Sequence, residues 1–252
     1  MGWTGSNKKG PVMKSSVITA ALCAAVSSLV YGQTSPAPAS SGTPPPRTEV
    51  YSVTFIHAAA GKVSAVEQVG KKGLAGNSAH GLFLRHEAGS PWDYVAITHI
   101  GPKATVEPTG NPRGREMRPL MDWHDDTFVN GPTWNEFAKA MGLDESGKPS
   151  SNEDVYVLSV YRPLVGQDDA LEKFLSEPPG ASGDLAVGTV LLQHLEGGAW
   201  RFLSISRYKN YEDYAKSETA AVAQTAKGSG SWFHLRDLVS FHNDTIAVHL
   251  SP

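Results

Sequence analysis

Residues 82–98 read "LFLRHEAGSPWDYVAIT", and residues 190–206 read "VLLQHLEGGAWRFLSIS". In each stretch two apolar runs flank a glycine-containing turn, Ala88-Gly89-Ser90 in the first and Glu196-Gly197-Gly198 in the second, which is the pattern of a β-hairpin. His86 answers His194 and Trp92 answers Trp200, both at a separation of 108 positions. An identical histidine-to-tryptophan interval in two hairpins points to a duplicated unit.

The repetition extends to both sides of the hairpins. "VYSVTFIH" from Val50 resembles "VYVLSVYR" from Val155, 105 positions on. Each is followed by a glycine, Gly61 or Gly166, and then by a stripe at helical spacing: Val63, Val66 and Val69, or Leu171, Phe174 and Leu175. Downstream, "RPLMDWHDDTF" from Arg118 matches "RDLVSFHNDTI" from Arg236, 118 positions on. Separations that widen steadily along the chain are what a tandem duplication with small insertions leaves behind.

Each unit runs strand, helix, hairpin, helix, strand, the order of a split βαβ motif. The expected fold is α+β: two tandem ferredoxin-like (βαββαβ) repeats, at 49–130 and 155–252, whose antiparallel sheets form a pseudo-dimeric α/β barrel. The second helix of repeat 2 is expected from Tyr211 to about Ala226. Its counterpart in repeat 1, "GPKATVEPTGNPRGRE", is rich in Pro and Gly and reads as loop. A helical connector with a polar linker fills 131–154. There Thr133 and Glu136 form a capping box, and Trp134, Phe137, Ala138 and Met141 make a stripe. That helix is expected to take the place of the one repeat 1 lacks.

This element order resembles the dimeric α/β-barrel superfamily, which includes antibiotic-biosynthesis-monooxygenase-like and stress-responsive barrel proteins. The resemblance spans roughly residues 50–103, 117–128 and 155–248. It implies a barrel in which one chain supplies both halves, in a tandem and exported form.

The first 32 residues differ in character from the rest. Lys8, Lys9 and Lys14 precede an apolar run from Val17 to Val30, and small residues follow, the order of a secretory signal. The expectation is cleavage near Gly32 and a secreted or periplasmic protein, with an uncleaved anchor helix as the alternative. Residues 33–48, "QTSPAPASSGTPPPRT", cannot bury enough apolar surface to order themselves and read as a spacer. Loss of residues 1–32 removes three lysines and no acids, so net charge falls from −3 to −6. Nucleic-acid partners are disfavoured at that charge. The single cysteine, Cys23, leaves with the signal, which excludes thiol nucleophiles and cysteine-held metals from the mature chain. No membrane span is expected after processing. Expected states are a monomer with an internal pseudo-dimer, or a homo-oligomer.

Candidate chemistry sits in the duplicated final motif. His124 with Asp126, and His242 with Asp244, suit an imidazole general base oriented by a carboxylate. The same pairs also fit structural hydrogen bonding across the strands, or a two-histidine, two-aspartate metal site. The catalytic assignment rests on His124, Asp126, His242 and Asp244, with no cofactor and no metal. Period-two alternation puts Trp92, Tyr94, Ala96 and Thr98 on one strand face, matched by Trp200, Phe202, Ser204 and Ser206. Aromatics beside small residues suit a small-molecule pocket in the barrel interior. Val95, Ile97, Leu203 and Ile205 then fall on the helix side, as do Met121, Trp123, Asp125 and Thr127. His86 and His194 belong either to the pocket rim or to exposed strand ends. His57, His80, His99, His234 and His249 read as surface histidines. No phosphate loop, G-x-S-x-G or H-E-x-x-H motif occurs. The functions left open are a cofactor-free, monooxygenase-like enzyme acting on a small aromatic ligand, a non-catalytic binding or stress-associated barrel, and a structural pseudo-dimer.

Overall fold

A computed structural model describes residues 46–75, 80–103, 114–177, 183–196, 199–228 and 230–250. The signal and most of the spacer lie outside the described residues. Repeat 1 contributes β1 (Glu49–Ala58), α1 (Val63–Ala75), β2 (Gly81–Ala88), β3 (Tyr94–Pro102), a short α2 (Gly114–Met117) with a 3₁₀ turn (Arg118–Leu120), and β4 (Met121–Gly131). A connector carries α3 (Trp134–Ala140). Repeat 2 contributes β5 (Val155–Pro163), α4 (Asp168–Ser176), β6 (Gly188–Glu196), β7 (Phe202–Tyr208), α5 (Tyr211–Thr225), α6 (Ser231–Leu238) and β8 (Val239–His249).

Within each repeat the strands pair in ferredoxin-like order, β2-β3-β1-β4 and β6-β7-β5-β8, all antiparallel. Two further pairings, β4 with β6 and β2 with β8, close the eight strands into a barrel. The final strand of each repeat is therefore zipped to the hairpin of the other. Closure leaves no strand edge open, and an open edge invites unwanted pairing.

All eight strands contribute to one interior core. It includes Tyr51, Val53 and Phe55 of β1, Leu82 and Leu84 of β2, Val95 and Ile97 of β3, Tyr156 and Leu158 of β5, and Leu203 and Ile205 of β7. Smaller clusters lie outside the barrel, under the helices. Ile56, Phe83 and Tyr94 meet Val66 of α1, and Tyr161, Phe202 and Val239 meet Leu171 of α4 and Leu238 of α6.

This layering corrects several face assignments. Val95, Ile97, Leu203 and Ile205 fill the interior, whereas Tyr94 and Phe202 lie under the helices. Thr98, Ser204 and Ser206 share that outer face through their pairing with Ser52, Ser159 and Val157. Only Trp92 and Trp200 of the expected pocket residues reach the interior core. Both tryptophans precede their strands, in the irregular end of the hairpin, so alternation counted through them breaks. The final strands fail for a related reason. A register shift sits opposite Met121 in β4 and opposite Val239 in β8. One extra residue, Asp122 or Ser240, reverses the face of everything that follows. Thr127 and Thr245 consequently point inward, paired with the interior residues Val53 and Leu158. Arg118 and Arg236 precede the strands altogether, in the 3₁₀ turn and in α6.

The connector helix does not replace a missing outer helix. Its capping box is present, with the Thr133 hydroxyl accepting from the Glu136 amide. Its Trp134, Phe137 and Ala138, with Met141 and Leu143 after it, belong to the interior core. The equivalent tyrosines Tyr51 and Tyr156 both donate from buried hydroxyls to this segment, to Pro132 O at 2.8 Å and Met141 O at 2.9 Å. A β-carbon on Gly188 would come within 1.9 Å of Ala140 O, so glycine lets β6 begin directly against α3. The helix stops one end of the barrel, and the two hairpins lie at the other.

Three of the supposed surface histidines are built in. His80 stacks on Trp134 with ring centroids 4.7 Å apart. His99 Nε2 lies 2.6 Å from Glu49 Oε2. His249 pairs with Leu84 on the seam, and neither of its buried ring nitrogens has a partner. Burial pushes its pKa down to about 4. A lowered histidine pKa favours the fold while the ring stays neutral, so the contribution is present above pH 6.5 and is lost as pH falls towards 4. The expected effect in urea unfolding is a loss of up to about 3 kcal/mol across that window, absent in His249→Phe. At the hairpin, Gly89 has φ +123°, and an added β-carbon would meet Asp244 O at 2.3 Å. Gly89→Ala should destabilise by about 1–3 kcal/mol, read as a lower urea midpoint at unchanged slope.

Candidate functional site

The two histidine–aspartate pairs occupy equivalent positions on β4 and β8, on the outer face of the barrel. His124 pairs with Ile56 and His242 with Tyr161, and both partners belong to the clusters under the helices. His124 Nδ1 lies 3.0 Å from Asp126 Oδ2, and His242 Nε2 lies 3.6 Å from Asp244 Oδ2. The structure thus keeps each histidine with its own aspartate, while the barrel separates the two pairs onto different sheets. Among the described residues no group of three or more His, Cys, Asp or Glu side chains could hold a metal ion.

The two repeats then diverge. Beside His124 stand Thr54 and Ile56. Beside His242 stand Ser159 and Tyr161, and the Tyr161 ring lies nearly parallel to the imidazole at 6.1 Å. His242 is the more enclosed of the pair, its side chain 19% exposed against 33% for His124. Its Nδ1 is buried and has no hydrogen-bond partner.

Helix α5 follows β7 and packs against it. Asn210 caps the helix through the Asp213 amide. Its sole buried residue is Ser217, whose hydroxyl accepts from the Leu185 amide at 2.8 Å. Tyr214, one turn earlier, is half-buried, and Glu218 is exposed. On the outer face of β5 and β7 stand Ser159, Ser204 and Ser206. Ser204 and Ser206 remain half-buried although β7 runs between β5 and β6. The serines of β7 thus lie on the outer face of repeat 2, the side on which α5 packs. Tyr208 and Tyr214 meet edge to face at 5.4 Å beside it, and the Tyr208 hydroxyl donates to Asp184 at 3.2 Å.

Electrostatics around Tyr161 and Glu218 follow from burial and from carboxylates. Burial pushes the Tyr161 phenol up to about 12; the Ser159 hydroxyl draws it down and Asp244 adds to the rise. Partial burial raises Glu218, helped by the negative charges of Asp244 and Asp184. Tyr214 is raised by burial first, then by Glu218 and Asp244. Tyr161 is thereby kept as a neutral hydrogen-bonding phenol at physiological pH, beside the His242 ring.

The remaining expected residues form a separate interior constellation. His86 pairs with Ala247 and His194 with Val129, so both face inward, against Trp92 at 5.5 Å and Trp200 at 5.3 Å. Phe55 lies between the tryptophans, 5.4 Å from one and 6.5 Å from the other. Both tryptophans are buried in a packed core, so this group serves the joining of the two halves. Sequence reading missed Tyr161, Ser159, Tyr214 and Glu218. The alternating Val157, Ser159, Tyr161 and the non-aliphatic inner face of α5 were the available signals.

No protein-family model and no curated protein matches the chain. Among solved structures it is similar to a monooxygenase candidate from Fusobacterium nucleatum, with 9% identity, a TM-score of 0.55, and coverage of 81% of this chain and 93% of that one. A monooxygenase candidate from Lactobacillus acidophilus follows, with 10% identity, a TM-score of 0.47, and coverage of 80% and 94%. An anthrone oxidase-like protein gives 9% identity, a TM-score of 0.49, and coverage of 81% and 92%. The first likeness supports the fold, the dimeric α/β barrel with both halves in one chain.

Replacement of each histidine separates a local role from a structural one. His124→Ala should alter stability by no more than about 0.5 kcal/mol, as for a surface pair. His242→Ala should cost about 1 kcal/mol through lost contact with Tyr161. Urea unfolding of both variants checks this, and a loss of several kcal/mol in each would make the motif a structural one.

Proposed function

We propose that the protein is an exported small-molecule-binding barrel of the monooxygenase-like type, whose reactive site is the outer face of repeat 2 around His242. The observation that carries the reading is His242, held beside Asp244 and stacked against Tyr161, on an outer face whose β7 positions are serines. A flat aromatic molecule suits a face of small hydroxyls and aromatic rings. His242 serves as the base that accepts a proton from the bound molecule. Asp244 orients the imidazole and stabilises its charged form, and the Tyr161 phenol donates a hydrogen bond to oxygen of the ligand. His124 and Asp126 form the degenerate counterpart, with Ile56 in place of the phenol. Export is supported by the charge and apolar order of residues 8–32.

A panel of neutral phenols and hydroxynaphthalenes tests the reading, with binding followed by calorimetry and oxidation by oxygen uptake. Ser204→Leu crowds that face and should abolish binding while the melting temperature is retained. His242→Asn should retain binding and lose turnover by about 100-fold or more, the usual scale of a general base. Binding without turnover in the parent protein would favour the non-catalytic barrel. Binding that survives Ser204→Leu would remove this face as the site.

A further inference from the structure

We propose that α3 is a one-sided latch on the barrel: in acid its N-terminal end comes away from repeat 1, while its C-terminal end stays clasped by repeat 2. Each end of the helix rests on one repeat, at duplicated positions. At its start, Glu49 Oε2 accepts from the Trp134 amide at 2.9 Å and lies 2.6 Å from His99 Nε2. The His80 ring stacks on Trp134. The counterparts of Glu49, His99 and His80 in repeat 2 are Asp154, Arg207 and Gly188, at the separations of 105 and 108 positions that relate the strands. At the end of the helix, Arg207 Nε donates to Ala140 O at 2.9 Å, and its Nη1 donates to Asp154 at 2.9 Å. Gly188 lies against the same carbonyl. One duplicated acid–base pair has thus diverged to suit the two ends of a helix. Free N–H groups at the start meet a carboxylate, and free carbonyls at the end meet a guanidinium.

The divergence leaves the two clasps unequal towards protons. Arg207 keeps its charge throughout, so its bond to Ala140 O persists. The clasp on repeat 1 is built from groups that take up protons in acid. A proton on Glu49 removes the charge that faces both the Trp134 amide and His99. The His80 and His99 rings, with centroids 6.0 Å apart, then repel as cations. His249 acts in the same direction. It faces inward at this end of the barrel, one step past the Val155–Val248 pair, and burial lowers its pKa to about 4. A histidine lowered in this way favours the closed form above pH 6.5, and the advantage is lost as pH falls towards 4. The other ionisable groups of the packed elements are held or outside. Buried Tyr51 is raised well above its ordinary range and stays neutral. Glu136 is bonded to Thr133, and Asp144 to the Ser146 and Lys148 amides. Lys103, Lys139, Glu145 and Lys148 are exposed.

Amide hydrogen exchange on the full chain tests the latch, read by NMR at about pH 7.5 and about pH 4.5 and corrected for the intrinsic pH dependence of exchange. The Trp134 and Phe137 amides should exchange about tenfold or more faster in acid, measured against the amides of β1 and β5. The Ser150 amide, bonded to Gly142 O beyond the far end of the helix, should keep its protection. Glu49→Gln should speed exchange at Trp134 already at the higher pH. A His80→Phe, His249→Phe double variant should blunt the acid response, and Arg207→Met should expose the Ser150 amide at both pH values. Circular dichroism melts establish that each variant is folded. If Trp134 and Phe137 open no more than the strands do, the latch falls. If both ends of α3 open together in acid, the one-sided device falls. An acid response undiminished in the double histidine variant overturns the inference as well.

Discussion

Two seams, β4 against β6 and β2 against β8, hold the molecule together. Each is a row of backbone hydrogen bonds between the last strand of one repeat and the hairpin of the other, and without them each sheet would expose an aromatic and aliphatic face to water. Side chains reinforce the second seam. Ser90 in the hairpin donates to Asn243, and the Thr245 hydroxyl donates to Ser90 at 2.8 Å. The hairpin backbone at Gly89 comes so close to β8 that no side chain fits between them. The recurrence of His-x-Asp-Thr in the two final strands acquires a physical meaning here. The threonine faces the core, the histidine and aspartate face outward, and one motif serves both the seam and the candidate site.

The inner and outer faces of each sheet divide the work. Tyr51, Phe55, Tyr156, Trp92 and Trp200 make the interior a packed core, stopped at one end by α3. Burial of such side chains contributes about 1.5–3 kcal/mol each. On the outer face of repeat 2, Ser159, Ser204 and Ser206 stand where larger apolar residues would bury more surface.

Much of the architecture could be read from residue spacing. The His86–Trp92 and His194–Trp200 intervals, the tyrosines at 51 and 156, and the Thr133–Glu136 box all report local geometry, and local geometry is what periodicity encodes. The faces of the strands were not legible, for a definite reason. Side-chain alternation has period two, so a single extra residue inverts it, and extra residues occur at Asp122 and Ser240. The tryptophans add a second break because they lie before β3 and β7. His124, Asp126, His242 and Asp244 were identifiable as paired groups. Their neighbours Tyr214 and Glu218 were not, because the approach of α5 to β8 is a tertiary contact with no trace in either segment alone.

The segment that carries α3 also makes one covalent molecule of what a subunit pair would otherwise assemble by collision. Pairing of the two sheets is then intramolecular, with an effective concentration set by a short tether rather than by the amount of protein present. Pairing of the two halves within one barrel is accordingly independent of dilution, unlike that of two separate subunits. Fusion also frees the halves from identity. In a symmetric dimer any substitution appears twice, whereas here position 56 can hold isoleucine while its counterpart at 161 holds tyrosine. One half is at liberty to specialise, and the other to remain scaffold.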